Sequence, residues 1–210
     1  MSGSELYTAA VADVLDTLGL RRQTLPPAIG PLRPGMRLEG PAFAVEGRPR
    51  AGADYDATIR RILEMLGAVP AGAVPVYATH DDEAAQFGEL SATALQAKSC
   101  PGVVLDGGCR DVGFIESAGF PVFCRYATPQ DSVPRWECTD WGHSVTIGGV
   151  EVATGDWLVA DADGVVVMPA ALKDEVLEKA RAVAGAENQV REAVRRGVAP
   201  LDAYDEFGKF

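Results

Sequence analysis

Two stretches hold the residue types that can do chemistry: Gly88-Glu89-Leu90-Ser91, and further on Asp106-Gly107-Gly108-Cys109-Arg110-Asp111. A glycine just ahead of a helix lets backbone N–H groups approach a ligand, and the first helical turn is electropositive, so a carboxylate sits well there. A plain helix start, with Ser91 capping and Gly88 turning the chain, accounts for the same residues. The second stretch follows the apolar run Val103-Val104-Leu105. Loops at the carboxyl ends of strands are where open α/β sheets bind ligands, and glycines there let a substrate approach the backbone. Arg110 offers a fixed fork of donors to a developing oxyanion. Asp111 offers a hard oxygen to a divalent cation whose other ligands are mostly water. An Arg–Asp surface pair at a turn is the plainer alternative. With Glu89 near the cation as a second carboxylate, the set suits a small α-keto acid chelated to a metal ion.

Other reactive residues read as structural. Cys100, Cys109, Cys124 and Cys138 are far apart without a Cys-x-x-Cys pair, which argues for packed thiols and against a zinc site. Cys109 lies inside the candidate loop but has no neighbouring histidine in sequence to activate it. His80 and His143 are isolated, although His80 follows a strand and points to the site edge. Arg48 and Arg50 form a basic turn that could meet a second carboxylate, and Asp161 and Asp163 read as turn residues. A net charge of −11 repels phosphate backbones and excludes a general nucleic-acid binder. No leader pattern or apolar span is present, so a cytoplasmic protein that does not enter membranes is expected.

The elements that must position these residues follow from periodicity. Residues 4–19 predict an amphipathic helix capped by Ser4 and stopped at Gly19. Residues 20–40 are Pro/Gly-rich and irregular, then residues 42–45 form a strand. Helices are expected over 56–66, 91–99 and 112–118, and strands over 73–79, 102–105 and 122–125. Residues 126–143 read as a polar loop. Gly148-Gly149 marks a hairpin between 145–147 and 150–152. Asp161-Ala162-Asp163 turns 157–160 into 164–168. A long helix over about 171–198 has more apolar face than one small domain can cover, so part of it is expected on a neighbouring subunit. Gly185 inside it would kink the helix or allow close packing. The whole, residues 1–210, reads as one α/β domain.

Gly88-Glu89-Leu90-Ser91 with Arg110-Asp111, together with Ile147-Gly148-Gly149-Val150 and Asp161–Pro169, resembles the RraA-like family over nearly the whole chain. The resemblance implies a compact α/β sandwich like the phosphohistidine swivelling domain, assembled as trimers or hexamers with sites between subunits. Its enzymatic branch comprises class II pyruvate aldolases acting on 4-hydroxy-4-methyl-2-oxoglutarate and 4-carboxy-4-hydroxy-2-oxoadipate, which also decarboxylate oxaloacetate. On that branch the backbone of Gly88, Glu89, Leu90 and Ser91 would hold the pyruvate carboxylate and Arg110 a substrate oxygen. Asp111 would bind Mg²⁺ or Mn²⁺ directly. Glu89 would act on the metal through water, as would Glu187 from a neighbouring subunit. The family's other branch is a protein regulator that inhibits a ribonuclease; an acidic chain suits that role, whereas Asp111 favours the enzyme. A methyltransferase, a label also attached to the family, would need a Gly-rich cofactor loop that this sequence lacks.

Overall fold

The computed structural model describes residues 6–52 and 54–208. Ser4, the expected first cap, lies outside them. In chain order the elements are α1 (Thr8–Thr17), β1 (Gly30–Pro31), β2 (Leu38–Pro49), α2 (Tyr55–Ala68), β3 (Val74–Ala78), β4 (Ala85–Phe87), α3 (Glu89–Gln96), β5 (Val103–Asp106), β6 (Gly108–Cys109), α4 (Val112–Ala118), β7 (Val122–Cys124) and β8 (Tyr126–Ala127). They continue with β9 (Trp136–Trp141), β10 (Ser144–Ile147), β11 (Val150–Ala153), β12 (Trp157–Asp161), β13 (Gly164–Met168), a 3₁₀ turn at Ala170–Leu172, α5 (Lys173–Arg195) and α6 (Pro200–Phe207).

The large sheet runs β1-β7-β5-β3-β2-β12-β13, with β9 also paired to β2. Its centre is parallel (β2, β3, β5 and β7) and its flanks antiparallel. Residues Gln23–Leu25 hydrogen-bond to β13, and the same segment leads into β1 at the opposite side, so the sheet nearly closes into a barrel.

Strict alternation sorts the strands' side chains into separate cores, as a period-2 element must. Val74, Val76 and Ala78 of β3 face one layer with Val104, Leu158 and the hairpin residues Val145, Ile147, Val150 and Val152. Tyr77, Val103 and Leu105 face the other side, against α2, α3 and α4. Val159, Val166 and Met168 pack under α1 and α5. Both faces of β3 are therefore covered, and every one of its residues is buried.

Several expectations need correction. β9 lies where a polar loop was expected: Trp136 and Cys138 are buried while Glu137 and Thr139 are half-buried, the alternation of a strand against β2. The last expected helix is α5, close to its expected bounds, and a further short helix that was not expected, α6, follows it and packs against it. α5 continues through Gly185, where a Cβ would meet nothing within 4 Å, so close packing within the chain does not explain that glycine. Asp161, expected as a turn residue, is the last residue of β12, is buried and holds α1 in place. Its carboxylate accepts bonds from the Thr8 backbone N–H (2.9 Å) and hydroxyl (2.6 Å), which caps a helix whose own N-cap residue, Tyr7, supplies no side-chain bond. Among the described residues no helix is long and apolar enough to cross a membrane.

Candidate functional site

Three parallel strands of the large sheet each bend at the carboxyl end into a shorter strand: β3 leads to β4, β5 to β6 and β7 to β8. The short strands form their own parallel sheet, β4-β6-β8. Three chain segments thus leave side by side: Gly88-Glu89 into α3, Arg110-Asp111 into α4, and Thr128–Asp131. Cross-strand pairs Phe87↔Cys109 and Ala85↔Asp131, with the Arg110 N–H bonded to the Phe87 carbonyl at 2.9 Å, fix their relative height.

Asp111 is the hinge of the arrangement. Its backbone is left-handed (φ 58°, ψ 33°), a conformation Asp tolerates better than most residues. The turn carries its carboxylate back over the neighbouring helix, where Oδ2 accepts the first N–H of α3, from Glu89, at 3.2 Å. The cap of α3 therefore comes from a different loop, and the helix begins at Glu89 rather than Ser91. Ser91 stands inside the first turn. The N–H groups of Leu90 and Ser91 belong to that turn and have no acceptor within the helix. Arg110 lies between two carboxylates, with Nε 3.6 Å from Asp111 Oδ2 and Nη1 3.2 Å from Asp131 Oδ1.

Gly88 is required by this packing. A Cβ there would stand 2.6 Å from Asp111 Oδ2 and 3.2 Å from Arg110 Cγ. Gly107 and Gly108 answer to the protein as well, not to an approaching substrate. A Cβ at 107 would strike Gln86 Oε1 at 2.5 Å, and one at 108 the Ala84 carbonyl at 2.5 Å. Buried Gln86 takes the Gly108 N–H on its oxygen (3.0 Å) and donates to Asp81 (2.6 Å), locking the strand ends together.

A cleft of about 180 Å³ opens here. Gly88, Leu90, Ser91, Arg110, Asp111 and Asp131 line it, facing apolar residues of α2. Glu89 has its backbone at the rim, but its carboxylate takes a bond from the Thr93 hydroxyl (2.9 Å) and it is not among the lining residues. Glu187 lies on α5, hydrogen-bonded by the Tyr7 hydroxyl of the same chain and remote from this loop cluster in the fold. His80 bonds Glu46 at 2.6 Å, and Arg48 and Arg50 both hold Glu137; none of them lines the cleft. Burial pushes the Cys109 thiol up to about 12, which leaves it protonated and unreactive at neutral pH. Asp131 was not foreseen. The signal was available, because it follows the third parallel strand as Arg110-Asp111 follows the second.

A divalent cation fits what is present. Asp111 Oδ2 is engaged with Glu89 and Arg110, while Oδ1 has no hydrogen bond or ion pair among the described residues and the side chain is partly exposed. No group of three or more His, Cys, Asp or Glu side chains converges among the described residues. A cation here would thus have one or two carboxylates and otherwise water and ligand oxygens, the shell Mg²⁺ accepts.

The RraA-like family model, described as Aldolase/RraA, matches residues 8–167, and the chain belongs to this family. A relative from Halalkalibacterium halodurans, named as a candidate 4-hydroxy-4-methyl-2-oxoglutarate aldolase, is 30% identical over 202 residues, spanning 95% of this chain and 90% of that one. The crystal structure of an uncharacterized protein from Pseudomonas syringae pv. tomato matches with a TM-score of 0.84 at 30% identity, covering 95% of this chain and 92% of the other. Streptomyces coelicolor RraAS2, described as an unusual member of the RNase ES inhibitor RraA family, matches with a TM-score of 0.77 at 27% identity, over 91% of this chain and 93% of that one.

Proposed function

We propose that the chain is a divalent-metal-dependent lyase that cleaves a 4-hydroxy-2-oxo acid to pyruvate and decarboxylates oxaloacetate at the same site. The observation that carries this reading is the Asp111 carboxylate set between the start of α3 and Arg110 at the cleft, with one oxygen unpartnered among the described residues. Asp111 would hold Mg²⁺ or Mn²⁺, which would supply Lewis-acid polarisation of the keto group. The first-turn N–H groups of Leu90 and Ser91 offer donors to the substrate carboxylate, aided by the positive end of α3. Cleavage breaks the C3–C4 bond and leaves its electron pair on the pyruvyl half. The Arg110 guanidinium would offset the charge that then grows on the keto oxygen. The C4 hydroxyl gives up a proton as C4 becomes a carbonyl, and C3 takes one up. In oxaloacetate the leaving half is CO₂, and the pyruvyl half meets the same residues, so one site serves both reactions.

Glu89 and a neighbouring subunit's Glu187 belong to this proposal as carboxylates acting on the cation through water, in a trimer or hexamer. The test is pyruvate release from 4-hydroxy-2-oxo acids and from oxaloacetate, with Mg²⁺ and with EDTA, for the wild type and Asp111→Asn. Asn tolerates the left-handed backbone, so the variant separates chemistry from folding. We expect metal-dependent pyruvate release that the substitution abolishes. Turnover unaffected by both EDTA and the substitution would refute the mechanism. The likeness to RraAS2 and the −11 charge support a second reading, a regulator that docks on a basic partner. Absence of turnover with every keto acid would favour it.

A further inference from the structure

Retro-aldol cleavage needs a group that takes the proton of the C4 hydroxyl. Decarboxylation of oxaloacetate does not, because CO₂ leaves from a carboxylate that is already ionised. Two carboxylates line the cleft among the described residues, Asp111 and Asp131, with the Arg110 guanidinium between them. Asp111 caps α3 and is the residue assigned to the cation. Glu89 is turned to the Thr93 hydroxyl and does not line the cleft. Asp131 is the carboxylate of this chain that the reaction has not yet used.

Its setting is that of a fixed group with one working oxygen. The backbone is tied to β4 by the Ala85↔Asp131 bridge and by the Ala85 N–H bonded to the Gln130 carbonyl at 2.9 Å. Arg135 Nη1 donates to the Asp131 carbonyl at 2.9 Å. The side chain is anchored through Oδ1, which accepts the Val133 N–H two residues on at 3.2 Å and faces Arg110 Nη1 at 3.2 Å. Oδ2 accepts no hydrogen bond among the described residues, and the side chain is partly exposed. A general base requires this combination: a carboxylate held in place, with a lone pair within hydrogen-bond reach of the proton it removes.

Building on the keto-acid reading of Arg110 and Asp111, we propose that Asp131 is the catalytic base of the retro-aldol step. Only C3 separates the keto carbon from C4, so a guanidinium that holds the keto oxygen brings the C4 hydroxyl toward the carboxylate on its other flank. Asp131 Oδ2 takes the hydroxyl proton, C4 becomes a carbonyl, and the electron pair of the breaking C3–C4 bond passes to the pyruvyl half. The protonated Asp131 then returns that proton to C3, which gives pyruvate and restores the carboxylate. The proton lost by the hydroxyl is the one gained by C3, so no further reactant is required. In oxaloacetate there is no C4 hydroxyl, Asp131 stays ionised, and solvent supplies the proton at C3.

The test compares wild type and Asp131→Asn for Mg²⁺-dependent pyruvate release from two hydroxy acids, 4-hydroxy-4-methyl-2-oxoglutarate and 4-hydroxy-2-oxopentanoate, and from oxaloacetate. Asparagine keeps an oxygen for the Val133 N–H but cannot carry the proton. The readout is the ratio of hydroxy-acid cleavage to decarboxylation, which cancels any loss common to both. We expect the substitution to lower that ratio on the order of 100-fold or more, the usual worth of a general base. An equal fall in both reactions overturns the proposal and makes Asp131 a positioning residue for Arg110. A fall in neither overturns it too, and hands the proton to another acceptor such as a neighbouring subunit's Glu187. Either result leaves the keto-acid reading standing. A wild type that decarboxylates oxaloacetate but cleaves neither hydroxy acid also overturns the proposal, since no hydroxyl proton is then removed. Pyruvate from none of the three compounds removes the keto-acid reading and this inference together.

Discussion

Replacing Gly88 with alanine separates the cost of folding from the cost to the site. The backbone at Gly88 is extended (φ −151°, ψ −173°), so alanine brings no conformational strain. The new methyl would stand 2.6 Å from Asp111 Oδ2, with Arg110 Cγ and Nε at 3.2 and 3.3 Å. Ordinary contact begins near 3.4 Å, so the carboxylate must retreat by roughly 0.8 Å. Asp111 is partly exposed and can swing away at the expense of its bond to the Glu89 N–H, a helix cap worth about 1 kcal/mol. For a domain of this size that is a fall in Tm of about 2–4 °C. The site bears far more, since a misplacement of about 1 Å at reacting groups can lower rates on the order of 100-fold. Gly113→Ala, inside α4 where a Cβ meets nothing within 4 Å, is the control: it should leave activity unchanged and, as a helical Gly→Ala change, raise Tm slightly if it moves it at all. The assay is metal-dependent pyruvate release from oxaloacetate beside thermal unfolding of both variants. Full activity in Gly88→Ala would refute the assignment of Asp111 and Arg110 to the reacting centre. A fall in Tm several times larger would show that the contact is structural.

Two further outcomes are expected. Asp131→Asn removes a carboxylate that competes with an anionic ligand for Arg110. Because the pair is partly solvated and worth about 1 kcal/mol or less, affinity for a non-cleavable keto acid such as 2-oxopentanoate, measured by calorimetric titration with Mg²⁺ present, should rise by up to about fivefold; weaker binding would mean that Asp131 holds Arg110 in its working position instead. Burial pushes the thiols of Cys109 and Cys138 up to about 12 and that of Cys124 up to about 11. A raised folded-state pKa contributes stability that is complete below the unfolded value, near 8.5, and is lost as pH climbs toward 11–12. Thermal stability should therefore not decline from this source between pH 7 and 8 and should fall above about pH 9. A thiol reagent at pH 8 should label the native protein negligibly and the unfolded protein rapidly; fast labelling of native Cys109 would contradict its burial.

Much of the frame was legible because its signals are local. α4 was predicted with its observed bounds, and the Gly-Gly hairpin and the Asp161–Asp163 turn fell between the expected strands. The nearness of Gly88-Glu89 to Arg110-Asp111 was legible too, since one helix and one strand return the chain to the same sheet end. The cap of α3 was not: it is a tertiary bond from Asp111, and local chemistry pointed to Ser91 instead. β4, β6 and β8 are two or three residues long and exist only through pairing, so no periodicity announces them. β9 hid its alternation behind Glu137 and Asp140, whose partners Arg48, Arg50 and the edge of β2 are distant in sequence. α6 was overlooked although Pro200 at its first turn and Gly208 after its end are ordinary start and stop signals.

The small sheet β4-β6-β8 has a consequence for how the protein reaches its working form. Gly88, Arg110 and Asp131 follow three successive parallel strands, and none of the three segments can be placed until its parent strand has docked beside its neighbour. Parallel pairing of this kind closes long loops before any contact rewards them, which makes it slow. The helices and the antiparallel hairpin can assemble from neighbours in sequence, while the cleft must wait for the last of the three strands. The cleft is thus a readout of completed topology: a chain with its helices formed and its hairpin closed would still lack it.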